Sequence, residues 1–177
     1  MFSKPWEVHK GVRRIPESPR DRYITDAEYK AVYDIAPDQY KVAMELAYLC
    51  RMRRSEVLNT RYRDVEAEGL NTRRLKGSNS ALTLWTPRLS AAVELGLKGK
   101  MRVPDMPLVG MGIKGDTFTQ GFRKLVKRAG VEWFVFHDIK AKGVSDFTGD
   151  KRKASGHKSE KMVDVYDRKR IIIEATD

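Results

Sequence analysis

The stretch LAYLCRMRRSEVLNTRYRDV, residues 46–65, changes character halfway along. Leu46, Ala47 and Leu49 extend an apolar face begun at Val42 and Ala43, the spacing of a helix laid on a core. This predicts a helix from about Asp38 to Cys50. Arg51, Arg53 and Arg54 interrupt that face, and RRSEVLNTR resumes as a short helix after the break. Val57 and Leu58 return to the core side. Glu56 and Asp64, placed among basic residues, read as scaffold, since a buried carboxylate can orient a cation or cap a backbone N–H. Arg53 carries a planar, permanently charged fork suited to phosphate, although one more surface phosphate contact would need the same residue.

Working outward, Thr25 with Glu28 forms a capping box that opens a helix ending near Ala36-Pro37. Before it, residues 1–24 hold three of the seven prolines and many arginines with no helical or strand period, and read as an arm or interdomain linker. From Asp64 to Trp85, short alternating stretches between Gly69 and Gly77 suggest a small antiparallel meander. Pro87 starts a helix to about Leu97. After a connector with a short Pro-Leu-Val strand, a further helix runs from about Thr117 to Ala129, closed by Gly130. FHDIKAKGVSDF and SEKMVDVYDR are the last two helical stretches, with Phe136 and Ile139 facing the core. No repeat or low-complexity tract interrupts residues 25–177, which read as one domain.

Composition narrows the partners. Of 177 residues, 35 are Lys or Arg and 24 are Asp or Glu, a formal net charge of +11. That excess favours a polyanion, nucleic acid first, over a merely solubilising surface. No apolar run reaches membrane-span length, and MFSKPWEVHK lacks the apolar centre of a signal peptide. Cys50 is the single cysteine, so an intrachain disulfide is excluded and a reducing cytoplasm is the expected setting.

Two tempting motifs do not hold. GMGIKG, residues 110–115, matches G-x-G-x-x-G, but no series of parallel strands surrounds it, so it reads as a connector. His137, Asp138 and His157 lack the spacing of a metal set. Neither cofactor nor metal is expected.

Near the C-terminus the chain reads KASGHKSEKMVDVYDRKR, residues 153–170. A Gly-His pair precedes Tyr166 amid lysines and arginines. By itself Tyr166 could be a packed aromatic or a nucleophile. Order along the chain decides between them. Met52-Arg53-Arg54-Ser55-Glu56-Val57 with Asp64, then RRLKGSNSALTLW around Lys76, then His137-x-x-Lys140, Gly156-His157 and Tyr166 resemble the boxes of the tyrosine recombinase (phage integrase) family. The resemblance covers about residues 25–170. It departs at Arg51, where the family often has glycine, and at Lys140, where it has arginine.

The resemblance implies a mainly helical α+β catalytic domain with a small three-stranded antiparallel sheet. It implies site-specific recombination by cleavage and rejoining of double-stranded DNA through a 3′-phosphotyrosine intermediate, with other integrase protomers as partners in a synaptic tetramer. It gives Tyr166 as nucleophile, Arg53, Lys140 and His157 on the phosphate oxygens, His137 at the tyrosine proton or on the phosphate, and Lys76 at the leaving oxygen. Lys76 as a solvated turn lysine, and the two histidines as structural caps, stay open alternatives. Lys140 leaves two readings, a variant that works with lysine or reduced activity. Type IB topoisomerase-like relaxation is the enzymatic rival, against which the short Gly-His to tyrosine spacing speaks, and a non-catalytic DNA-binding protein is the other. The family's N-terminal core-binding domain has no counterpart in residues 1–24, so the chain reads as part of a longer bacterial or phage integrase. Neither a membrane nor a small-molecule substrate is expected. The apolar run Ile171-Ile172-Ile173 is expected to add as a strand or peg to a neighbouring protomer.

Overall fold

The computed structural model describes residues 21–74, 79–157 and 159–169. The arm at 1–20, the Lys76 turn and the tail at 170–177 lie outside them. Helix α1 (Asp26–Ile35) begins at the expected box: Thr25 Oγ1 accepts from Glu28 N at 3.2 Å and Glu28 Oε2 accepts from Thr25 N at 2.9 Å. It stops at Ala36, whose extended backbone is what a following proline demands. Helix α2 (Asp38–Leu49) runs through the middle of the domain, and Val42 to Ala47 are buried without a break. An element so enclosed is apolar almost all round rather than on one stripe. Leu49 and Leu58, expected in the core, are half-buried at its margin.

After α2 come α3 (Arg54–Asn59), a 3₁₀ turn at Tyr62–Asp64, and strands β1 (Gly69–Thr72) and β2 (Ala81–Leu84). The strands pair antiparallel, Gly69 opposite Leu84 and Thr72 opposite Ala81. The expected sheet of three strands has two among the described residues. The expected Pro-Leu-Val strand reduces to a single bridge, Arg61 with Pro107. Asp64 serves as scaffold, its Oδ2 accepting from Arg61 N at 2.9 Å.

Helices α4 (Pro87–Leu97) and α5 (Gly115–Ala129) follow. The glycines of GMGIKG form the loop into α5, Gly110 and Gly112 taking positive φ, with no parallel strand beside them. α6 (Phe136–Asp146) packs across α2, as does α4, and two short helices close the described chain, α7 (Lys151–Ser155) and α8 (Glu160–Asp164). The α2–α6 crossing is close because position 143 is glycine: a Cβ there would lie 2.2 Å from Tyr48 O. Phe118, Phe122 and Phe136 meet edge to face under the start of α6, with centroids 4.9 and 5.2 Å apart. A second cluster, Ala141, Val144 and Tyr166 with Val163 and Val165, seats the end of the described chain on α6.

Two buried charges away from the α6 start are well paired. Glu45 accepts both nitrogens of Arg88 (2.6 and 2.8 Å) and the Tyr29 hydroxyl (2.9 Å). Lys142 reaches Asp26 (2.6 Å), Asp146 and the Tyr23 hydroxyl (both 2.9 Å). No described helix is long and apolar enough to cross a membrane.

Candidate active site

The helix break read at residues 51–53 is a left-handed turn. Arg51 has φ 52, the one non-glycine residue described with positive φ, which explains why glycine would suit the position. Arg51 is held there by its side chain: Nε donates to Ala154 O at 3.3 Å and the guanidinium lies 4.5 Å from the Phe147 ring centre. The turn delivers Arg53 to the start of α3. Glu56, almost fully buried, accepts Arg53 N at 2.7 Å and Arg53 Nη1 at 3.0 Å. Burial by itself would raise the Glu56 pKa. The Arg53 N–H bond and the nearby Arg74 and Lys140 charges outweigh it and hold the carboxyl ionised.

α6 contributes His137 and Lys140, one turn apart. The α6 start is fixed by Asp138, whose Oδ2 accepts Val135 N at 2.9 Å and whose Oδ1 takes Arg168 Nη1 at 2.8 Å in a buried ion pair. Arg168 N donates to Ser145 Oγ at 2.7 Å, and Ser145 Oγ donates to Tyr166 O at 3.0 Å. Tyr166 thus has its main chain tied to α6 while its ring packs in the apolar cluster. Its hydroxyl meets His137 Nε2 at 2.8 Å.

His157 follows Gly156, which closes α7 at φ 70. The imidazole lies 4.5 Å from the Tyr166 ring, centre to centre, and its Nδ1 meets Ser155 Oγ at 2.9 Å. Ser155 Oγ also stands 2.6 Å from Lys151 O, which can only accept. Ser155 therefore donates there and accepts from Nδ1–H. That leaves Nε2 of neutral His157 as a lone pair, buried and without a partner among the described residues.

The electrostatics are lopsided. Lys140 is fully buried, its Nζ 3.4 Å from Ser155 O and 5.3 Å from the Tyr166 ring centre. Burial, then the charges of Arg53 and Arg74, lower its pKa to about 7, against a weaker opposing pull from Glu56. Burial followed by the Lys140 charge lowers His157 to about 4. His137 is exposed as a residue, while its Nε2 faces the hydroxyl of buried Tyr166. Desolvation, then the Lys140 charge, also lower it to about 4. Neutral His137 can accept the Tyr166 proton on Nε2. Cations crowd one carboxylate here, a cavity of charge that a phosphate would complete.

These histidines make a pH prediction. Their folded pKa values lie below the unfolded 6.5, so between 6.5 and about 4 the unfolded chain binds more protons. Thermal stability should therefore fall as pH drops through that window, whose upper part lies above the range in which carboxylates titrate. His157→Gln should flatten the slope in melts recorded across it. An unchanged slope would show that His157 titrates normally.

Arg53, His137, Lys140, His157 and Tyr166 lie close together. Lys76 lies outside the described residues, and Arg74 and Asn79 both approach Gly156. Arg74, Ser145, Ser155 and Arg168 were not legible from the boxes. No group of His, Cys, Asp and Glu among the described residues could hold a metal.

An Arg53 turn facing the His137 helix, a short hairpin beside it and a tyrosine folded back on that helix together form the tyrosine recombinase catalytic-domain fold. The chain superposes on XerA recombinase with a TM-score of 0.71 at 18% identity, over 89% of this chain and 62% of that one. It matches a lambda integrase dimer bound to a COC' core site (0.67, 19% identity, 87% and 50%) and the Tn1549 transposon integrase in complex with circular intermediate DNA (0.65, 12%, 90% and 63%). It spans under two thirds of each neighbour's length. No family model matches the sequence, and neither does any curated protein.

Proposed function

We propose that the chain is the catalytic part of a site-specific DNA recombinase that cuts and rejoins duplex DNA through Tyr166. The observation that carries this is the 2.8 Å contact between the Tyr166 hydroxyl and His137 Nε2 inside a ring of cations. As His137 takes the proton, the phenolic oxygen attacks the scissile phosphorus. A 3′-phosphotyrosine ester forms, and the bond to the 5′ oxygen breaks. That oxygen leaves as a hydroxyl, with Lys76 as the proposed proton donor. The same hydroxyl, or one from another duplex, reverses the step, so bond energy is kept without a cofactor.

Charge accumulates on the non-bridging oxygens in the five-coordinate transition state. Arg53 supplies fixed positive charge to it, and Lys140 adds a second charge in its protonated form. His157 can donate from Nε2 once a proton is added there, which an entering phosphate favours. Lambda integrase, solved as a dimer bound to a COC' core site and as a tetramer bound to a Holliday junction, supports DNA and further protomers as partners.

The deciding experiment is a nicked suicide substrate, on which the released strand diffuses away and the covalent adduct accumulates. Absence of any adduct on nicked duplexes of random sequence and of the chain's own flanking DNA would sink the proposal. Binding has its own prediction. With a net charge of +11, duplex affinity should fall by about 10³ or more between 50 and 200 mM salt, as phosphate contacts release counterions. Fluorescence anisotropy measures this, and salt-insensitive binding would contradict it.

A further inference from the structure

Arg74 stands just after β1, and its side chain is 1% exposed. Its four η hydrogens are all taken within the protein. Nη1 donates to Arg51 O at 2.6 Å and to Glu56 Oε2 at 3.2 Å, and Nη2 donates to Cys50 O and to Ala154 O, both at 3.0 Å. These acceptors belong to three separate segments: the left-handed turn before Arg53, the carboxylate that holds Arg53, and the last turn of α7 before His157. Arg74 Nε is buried with no partner among the described residues, under Gly156, where a Cβ would come within 3.2 Å of it. Arg74 N also donates to Ser80 Oγ at 3.2 Å, closing the base of the hairpin.

We propose that Arg74 is a positioning residue for cleavage: its guanidinium fastens the Arg53 turn to the segment carrying His157, so that both side chains reach one phosphate. This rests on the reading of the site as a DNA-cleaving centre. The function needs a guanidinium. Two nitrogens each carrying two hydrogens in one plane span carbonyls on opposite sides, while an ammonium offers three donors from a single shorter point. Because those four hydrogens are engaged, Arg74 has none of them to give to DNA. It acts on Arg53 through Glu56, and on His157 through Ala154 O and the Gly156 turn packed on its side chain.

The test compares Arg74→Lys with the wild-type chain in two readouts. In single-turnover adduct formation on the suicide substrate, the rate should fall about 10²-fold, the effect of displacing catalytic groups by about an ångström, with duplex affinity within about threefold. The chain has three histidines, His9, His137 and His157, so imidazole NMR resolves them singly. Arg74→Lys should move the His157 resonances and their titration and leave His9 in place. Wild-type cleavage together with unmoved His157 resonances overturns the proposal. So does a loss of cleavage matched by an equal loss of DNA affinity, which would make Arg74 a DNA contact. If the wild type forms no adduct, the recombinase reading falls separately and the histidine spectra decide the positioning alone: a moved His157 keeps it, an unmoved one ends it. Circular dichroism checks folding. Should Arg74→Lys not fold, Arg74→Gln, which keeps planar amide donors for the carbonyls, takes its place in both readouts.

Discussion

Tyr166→Phe should abolish covalent attachment to DNA and leave duplex binding within about threefold of the wild type. The substitution removes one oxygen and no charge. The phenylalanine ring keeps its packing on Ala141 and Val144, its tilted contact with His157 and its place over the Lys140 ammonium. What is lost is the hydrogen bond to His137, worth about 1 kcal/mol of stability. With the nucleophilic oxygen gone, no other described side chain stands beside His137 Nε2 to replace it. Gel analysis of the suicide substrate reads the adduct, and a gel-shift titration reads the binding. An adduct that survives in Tyr166→Phe refutes the assignment and turns attention to Tyr62 and the remaining tyrosines.

Lys140→Met should separate stability from activity. Methionine matches the lysine stem in length and fills the same buried volume without a charge. In the free protein the ammonium is a burden: it is fully buried, and among the described residues its hydrogen-bond acceptor is Ser155 O at a long 3.4 Å. The folded pKa, lowered to about 7 from 10.5, lies below the unfolded one, so the unfolded chain holds more protons in that interval. Stability therefore rises with pH between the two values, and the cost of Lys140 is greatest at neutral pH and below. Lys140→Met should stabilise the free protein at neutral pH by on the order of 2–4 kcal/mol, or about 5 °C or more in the unfolding midpoint. The advantage should shrink as pH climbs toward 10.5. Cleavage should move the other way, dropping about 10²–10³-fold, because the variant lacks a cation aimed at the transition-state phosphate. A variant less stable than the wild type at neutral pH would show that the amine is already well paired; a variant that still cleaves would remove Lys140 from the mechanism. The same logic predicts proton uptake on DNA binding, seen as a buffer-dependent enthalpy in calorimetry and reduced in Lys140→Met. On the proposed function, Lys140 would then be a titratable cation that gains its proton as the phosphate arrives.

Much of the fold follows from local rules. The Thr25–Glu28 box, the stop before Pro37, the Pro87 start and the Gly130 close each depend on a few neighbouring residues, and each stands where expected. Strand expectations fared less well. The third strand is not among the described residues and the Pro-Leu-Val strand is one bridge, since pairing depends on a partner segment and not on the strand's own alternation. SEKMVDVYDR was expected to be wholly helical, but α8 ends at Asp164, because Tyr166 turns back to pack on α6.

The candidate site divides the same way. The order of Arg53, His137, Lys140, His157 and Tyr166 along the chain was enough to select them, because each is chosen by the chemistry of its own side chain. The sequence by itself thus determined the helical core, its caps and the set of candidate site residues. Tertiary structure alone decided how they are held and charged. The acceptors that engage Arg74 include carbonyls 23, 24 and 80 positions away, and a main-chain carbonyl looks the same in every residue, so no motif can announce it. Arg51 in a left-handed turn, Lys140 sealed beneath Tyr166 and His157 with a nitrogen unpartnered among the described residues are likewise products of packing. Proton affinity in a buried site depends on which charges are folded against it, and those charges come from parts of the chain that meet only in the native state.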